Sequence, residues 1–97
     1  MSRSLTIVAR IKAKPGQENT LAAELAKLVP PTLLEAGCLQ YDLHRDLEDP
    51  GNFLFFENWE TKEQWLAHME SPQLLAYKAA ADDLVDVFEL FQMEKAD

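Results

Sequence analysis

The chain has 97 residues, enough for one hydrophobic core and too few for two. Its hydrophobic content of 47% and charged content of 27% are those of a folded globular domain and exclude a disordered chain. A formal net charge of −8 excludes nucleic acid as a partner, because a phosphate-binding face needs clustered Lys and Arg and the basic residues here are scattered.

The opening Met1-Ser2-Arg3-Ser4-Leu5 leads straight into a strand pattern without a signal-peptide apolar region. No later apolar run is long enough to span a bilayer, so a cytoplasmic location and no membrane partner are expected. Residues 5–13 alternate Leu5, Ile7, Ala9 and Ile11 against Thr6, Arg10 and Lys12, the period of a first strand. Pro15-Gly16 ends it. Leu21, Leu25, Leu28, Val29 and Leu33 then recur at helical spacing and predict one buried face. Pro30-Pro31 must kink that helix or divide it, and Gly37 suits a C-terminal cap.

A second strand is predicted over 38–46. Leu39, Tyr41 and Leu43 share one parity, facing the helices; Cys38, Gln40, Asp42 and His44 share the other. Cys38 is the sole cysteine and cannot close an internal disulfide, and no Cys or His pair has zinc-ligand spacing. Asp49-Pro50-Gly51-Asn52 is a turn, and 53–59 (FLFFENW) is the returning strand. Thr61 to Gln64 forms a capping box, starting a helix at Lys62. Ser71-Pro72 caps a further helical stretch through about Ala81, and 84–94 closes the chain as a last strand.

This order, β-α-β-β-α-β, predicts a single α+β domain over 1–97: a ferredoxin-like four-stranded antiparallel sheet with the helices on one face. The strands 53–59 and 84–94 are apolar on both parities. Helices on one side leave the other side greasy, so a homodimer packed sheet to sheet is expected.

Four segments carry a resemblance: KPG (14–16), EAGCLQYDLHRD (35–46), DPGNFLFFENW (49–59) and AHMESPQLLAY (67–77). Together, in this order and spacing, they resemble the antibiotic biosynthesis monooxygenase family and its quinol monooxygenase-like members. The resemblance covers nearly the whole chain and implies a dimeric α+β barrel of two ferredoxin-like protomers. It also implies oxygenation of a small aromatic phenol or quinol by O₂ with no bound cofactor, neither flavin nor metal. Other members act on small carbonyl-containing signals, which keeps an isomerase or lyase open, as it does a non-catalytic ligand-binding dimer. The haem-degrading branch uses a helical tryptophan, a histidine about ten residues later and an asparagine in the first strand. Those positions fall at His68, at or near Lys78, and near Ala9, so haem degradation is not expected.

Two histidines are candidate catalytic residues. His68 falls at the edge of the stripe formed by Trp65, Leu66 and Met69, where it either serves a substrate as base or donor or simply bonds backbone. His44 is the second choice, since its parity turns it toward the dimer layer. Tyr41, Asn58, Trp59, Trp65 and Tyr77 are candidate substrate-binding residues, through stacking or hydrogen bonding, with core packing the competing role for the tryptophans. Cys38 is expected to be a small buried hydrophobe. Glu57 is expected to pair with Arg10 or a lysine.

Overall fold

The computed structural model describes residues 4–97, so the expectation drawn from Met1–Arg3 lies outside the described residues. Eight elements follow one another: β1 (Leu5–Ala13), α1 (Glu18–Ala26), α2 (Val29–Leu33), β2 (Cys38–Arg45), β3 (Asn52–Trp59), α3 (Lys62–Met69), α4 (Pro72–Ala81) and β4 (Val85–Met93). The strands form one antiparallel sheet in the order β2-β3-β1-β4. This is the ferredoxin-like α+β arrangement. No helix among the described residues is long and apolar enough to cross a membrane.

The caps behave as their chemistry dictates. Thr61 accepts from the Gln64 amide at the start of α3, and Ser71 from the Leu74 amide at the start of α4, where Pro72 takes the first helical position. Each such cap contributes roughly 1 kcal/mol. Pro30-Pro31 divides the first helical segment rather than bending it: α1 stops at Ala26 and α2 restarts at Val29. The break rotates the second piece. Thr32 becomes fully buried while Leu33, expected on the buried face, is 52% exposed. The C-cap of α2 is Leu34, and Gly37 takes φ +83° later, in the turn into β2, where a Cβ would collide with the Gln64 side chain.

One face of the sheet is covered by the helices. Ile7, Ala9 and Ile11 of β1 and Phe53, Phe55 and Trp59 of β3 meet Leu21, Leu25, Leu28, Trp65 and Leu74 in a single core. The other face carries Val8, Leu54, Phe56, Val87 and Phe91, none of them fully buried. Both parities of β3 and β4 are apolar, as the sequence requires.

One register shift alters the reading of β2. Cys38 lies opposite Trp59 and Gln40 opposite Asn58, so Leu39 is the extra residue of a β-bulge. Leu39 is therefore 56% exposed instead of facing the helices. Cys38 turns to the helix side, half-buried, instead of sharing the face of Gln40 and Asp42. Tyr41 and Leu43 keep the helix-facing parity expected of them, opposite Glu57 and Phe55.

Candidate active site

A cavity of about 520 Å³ lies between the helices and the sheet. Its floor is Ala9, Ile11, Tyr41, Phe55 and Glu57; its roof includes Leu28, Trp65, His68 and Leu74. Lys78, Asp82 and Phe88 stand where it approaches solvent. The lining is mostly apolar, with a few convergent polar groups, which is the usual composition of a small-molecule site.

His68 is 2% exposed, whereas Leu66, expected in the buried stripe, is 47% exposed. The buried side of α3 is therefore Trp65, His68 and, in part, Met69. The imidazole stacks on Trp59 with ring centroids 4.8 Å apart and meets Tyr41 edge-on at 5.4 Å. Its Nδ1 lies 3.1 Å from the nearer carboxylate oxygen of Glu35. Gln73 holds that carboxylate from α4 and bonds Thr32 as well, at 3.3 Å. Glu35 is thus an oriented acceptor, and Nδ1–H is its donor. Nε2 has no partner among the described residues and is the nitrogen left for a guest. Burial holds the His68 pKa below its ordinary value; Glu35 opposes this and the charge of Lys78 adds to it. A neutral imidazole locked in one tautomer is what a general base requires.

Tyr41 is buried, and burial together with the charge of Glu57 raises its hydroxyl well above the phenol range, against a hydrogen bond from Thr32. It stays protonated and can donate to an anionic oxygen. Tyr77 lines the same cavity from α4, and burial pushes it up to about 12. Trp65 lines the roof. Trp59 is fully buried, and its indole supports His68 from behind.

Glu57 was expected in an ion pair, and the structure overturns this. Arg10 pairs with Glu89 at 2.8 Å on the other face of the sheet, and Glu57 sits 4% exposed on the cavity floor. Its Oε1 accepts from Trp59 Nε1 at 2.9 Å. Burial raises its carboxyl to about 7; the Trp59 bond pulls it down in part, and the charge of Glu35 pushes it up.

The sequence and the fold place the chain in a known family. The family model "Antibiotic biosynthesis monooxygenase" matches residues 4–80. The chain is a member of the antibiotic biosynthesis monooxygenase family. It is 32% identical to the probable quinol monooxygenase YgiN of Escherichia coli, over 89% of this chain and 90% of that protein. Rv0793 of Mycobacterium tuberculosis is 31% identical over 88% of this chain and 83% of its own length. The crystal structure of PA3566 from Pseudomonas aeruginosa superposes with a TM-score of 0.96 at 35% identity, covering 100% of this chain and 98% of that one.

Within this family fold, five of the seven residues singled out from the sequence gather at one place: His68, Tyr41, Trp65 and Tyr77 line the cavity, and Trp59 backs it. The other two do not. His44 is exposed on the opposite face, in register with Leu54. Asn58 is on that face too, donating to Gln40 at 2.7 Å and accepting from Thr6 at 2.6 Å. Burial pushes the Cys38 thiol up, making it a poor nucleophile. Two site residues escaped the sequence reading. Glu57 was detectable by parity, since it shares the alternation of Phe53, Phe55 and Trp59. Glu35 carries no local signal, because its partner is 33 residues away.

Proposed function

We infer that this chain is a cofactor-independent monooxygenase that oxidises a small aromatic quinol or phenol with O₂, His68 serving as the base. The observation that carries this is the buried imidazole at the cavity wall, with Nδ1 fixed by Glu35 at 3.1 Å and Nε2 free. The family membership and the likeness to a probable quinol monooxygenase supply the reaction class. His68 takes a phenolic proton, Tyr41 donates to the anion, and the electron-rich ring passes an electron to O₂. Recombination places a peroxide on a ring carbon. Loss of water then leaves a carbonyl, so a quinol and O₂ give a hydroxyquinone and water, and the substrate supplies every electron. The apolar walls keep bulk water from the anion.

The test is oxygen uptake with a panel of hydroquinones and phenols, with product identified by mass. Uptake matched by a product one oxygen heavier and two hydrogens lighter supports the inference. Turnover of carbonyl substrates without O₂ would replace it with an isomerase, and no turnover of any kind would leave a ligand-binding protein.

The same inference includes a homodimer packed through the outer sheet face. Phe91 and Met93 are 44% and 46% exposed there, beside Val8 and Phe56. A second copy offers the same apolar strip and closes it by two-fold symmetry. Sedimentation at micromolar concentration giving twice the chain mass is the expected result. We also take the reaction to be cytoplasmic, in keeping with the single thiol at Cys38.

A further inference from the structure

His68 accounts for one proton of the oxygenation, but the chemistry moves two. The peroxide formed on O₂ addition is an anion that must be protonated, and the ring carbon bearing it must lose its own hydrogen. The cavity holds a second group equipped for this. Glu57 lines the floor at 4% exposure, and one of its oxygens is held by the Trp59 indole N–H at 2.9 Å. No donor among the described residues reaches its other oxygen, Oε2. The same indole stacks on His68 at 4.8 Å, so the two groups are fixed to one rigid ring. Tyr41, in register with Glu57 and edge-on to His68, ties them together from the second strand. An ion-paired glutamate could serve structure alone. A buried carboxyl with one oxygen unbonded beside an apolar cavity costs stability and is placed to meet a guest.

We propose that Glu57 is the second catalytic residue of the site: Oε2 engages the substrate's second oxygen, which selects aromatic diols over monophenols, and its proton serves the peroxide. The inference rests on the monooxygenase reading above. The protons balance as follows. His68 takes the proton of the first hydroxyl and O₂ adds at the neighbouring ring carbon. Glu57 protonates the resulting peroxide anion. The ring C–H then returns a proton to Glu57 as the O–O bond breaks and the carbonyl forms. The hydroxide that leaves takes the proton from His68 as water. Both side chains end as they began, ready for another turnover. The raised carboxyl pKa of about 7 keeps a substantial protonated fraction at neutral pH, while His68 is held neutral.

Two variants separate binding from proton transfer. Glu57→Gln keeps an acceptor for Trp59 and a polar group for the diol but carries no transferable proton. Glu57→Leu removes both. Binding of 1,4-dihydroxynaphthalene and of 1-naphthol is measured anaerobically by quenching of tryptophan fluorescence, with circular dichroism as the check on folding. The diol is expected to bind the wild-type chain about tenfold more tightly than the monophenol, a preference that Glu57→Gln retains and Glu57→Leu abolishes. In oxygen uptake, Glu57→Gln is expected to lose about 10²-fold in kcat with KM changed only a few-fold. An unchanged diol preference in Glu57→Leu overturns the proposal, as does a Glu57→Gln turnover within threefold of wild type. A diol preference that Glu57→Leu abolishes, in a chain that consumes no O₂, refutes the oxygenase reading while upholding the Glu57 contact. A chain that binds neither ligand refutes both.

Discussion

The two faces of the sheet handle polar groups in opposite ways, although they are built from the same strands. On the outer face Thr6, Asn58, Gln40 and Asp42 bond one another in an unbroken row, with contacts of 2.6, 2.7 and 2.7 Å. Arg10 and Glu89 neutralise each other beside it. On the helix-covered face Glu57 and His68 are each bonded on one side only, and the free sides border a cavity. Glu57 and Asn58 are sequence neighbours, so the contrast is set by strand parity alone. Polar groups that satisfy one another stabilise or specify a fold. Those left half-satisfied in a dry place cost stability and are placed for chemistry.

Substitutions on the two faces should therefore behave differently, and the largest difference is expected at His68. His68→Ala should lower any oxygen-uptake rate by about 10²-fold or more, the usual cost of losing a general base. A loss of only a few-fold would end its assignment as base.

Glu57 gives the next effect, and its sign runs against intuition. Its folded pKa of about 7 lies above the unfolded value of 4.5, so the folded state holds the proton longer. Between these values stability falls as pH rises, by about 3 kcal/mol at full ionisation, and the loss is complete above pH 7. Glu57→Gln should match the wild-type chain near pH 4.5 and exceed it at pH 8 in thermal or urea unfolding. His68 works in the other direction: its lowered pKa makes folding less favourable as pH falls below about 6.5. The difference between Glu57→Gln and wild type cancels that contribution.

Gly37→Ala should destabilise by about 1–2 kcal/mol in urea unfolding, through its positive φ and the clash with Gln64. It should also reduce activity, because Glu35 lies in the same turn. The smallest effect belongs to the outer face. His44→Ala should leave the oxygen-uptake rate within twofold. A large loss at His44 would mean that the outer face takes part in the reaction and would dissolve the contrast drawn above.

Much of this was legible in the residues. Period-2 runs marked the strands, Thr61 and Ser71 marked the caps, and Pro30-Pro31 marked a discontinuity. These signals are local: each follows from the dihedral or hydrogen-bonding preference of a few neighbours. The bulge at Leu39 was not legible, since an extra residue in one strand is defined only by its partner, and it reversed the faces of Cys38 and Leu39. The cavity position of His68 was partly legible as a stripe edge. Its bond to Glu35 was not, because nothing in a single sequence reports which distant carboxylate a helix will meet. Glu57 was misassigned although its parity was visible. A charge within a buried alternation is better taken as a site signal than as a surface ion pair.

The proline break between α1 and α2 has a consequence for how this chain accommodates changes in length. Residues 34–37 connect a helix of five residues to β2, and within them Glu35 must reach His68 while Gly37 turns beneath Gln64. Adding or deleting a residue there would swing Glu35 away from the imidazole and displace the strand that carries Tyr41. The hairpin at the far end of β2 has no such obligation: Leu47 is 101% exposed, and the turn bonds mainly to itself through Asp46 and Asp49. Natural or engineered insertions should accumulate at the hairpin tip and be absent from the four residues beside the prolines.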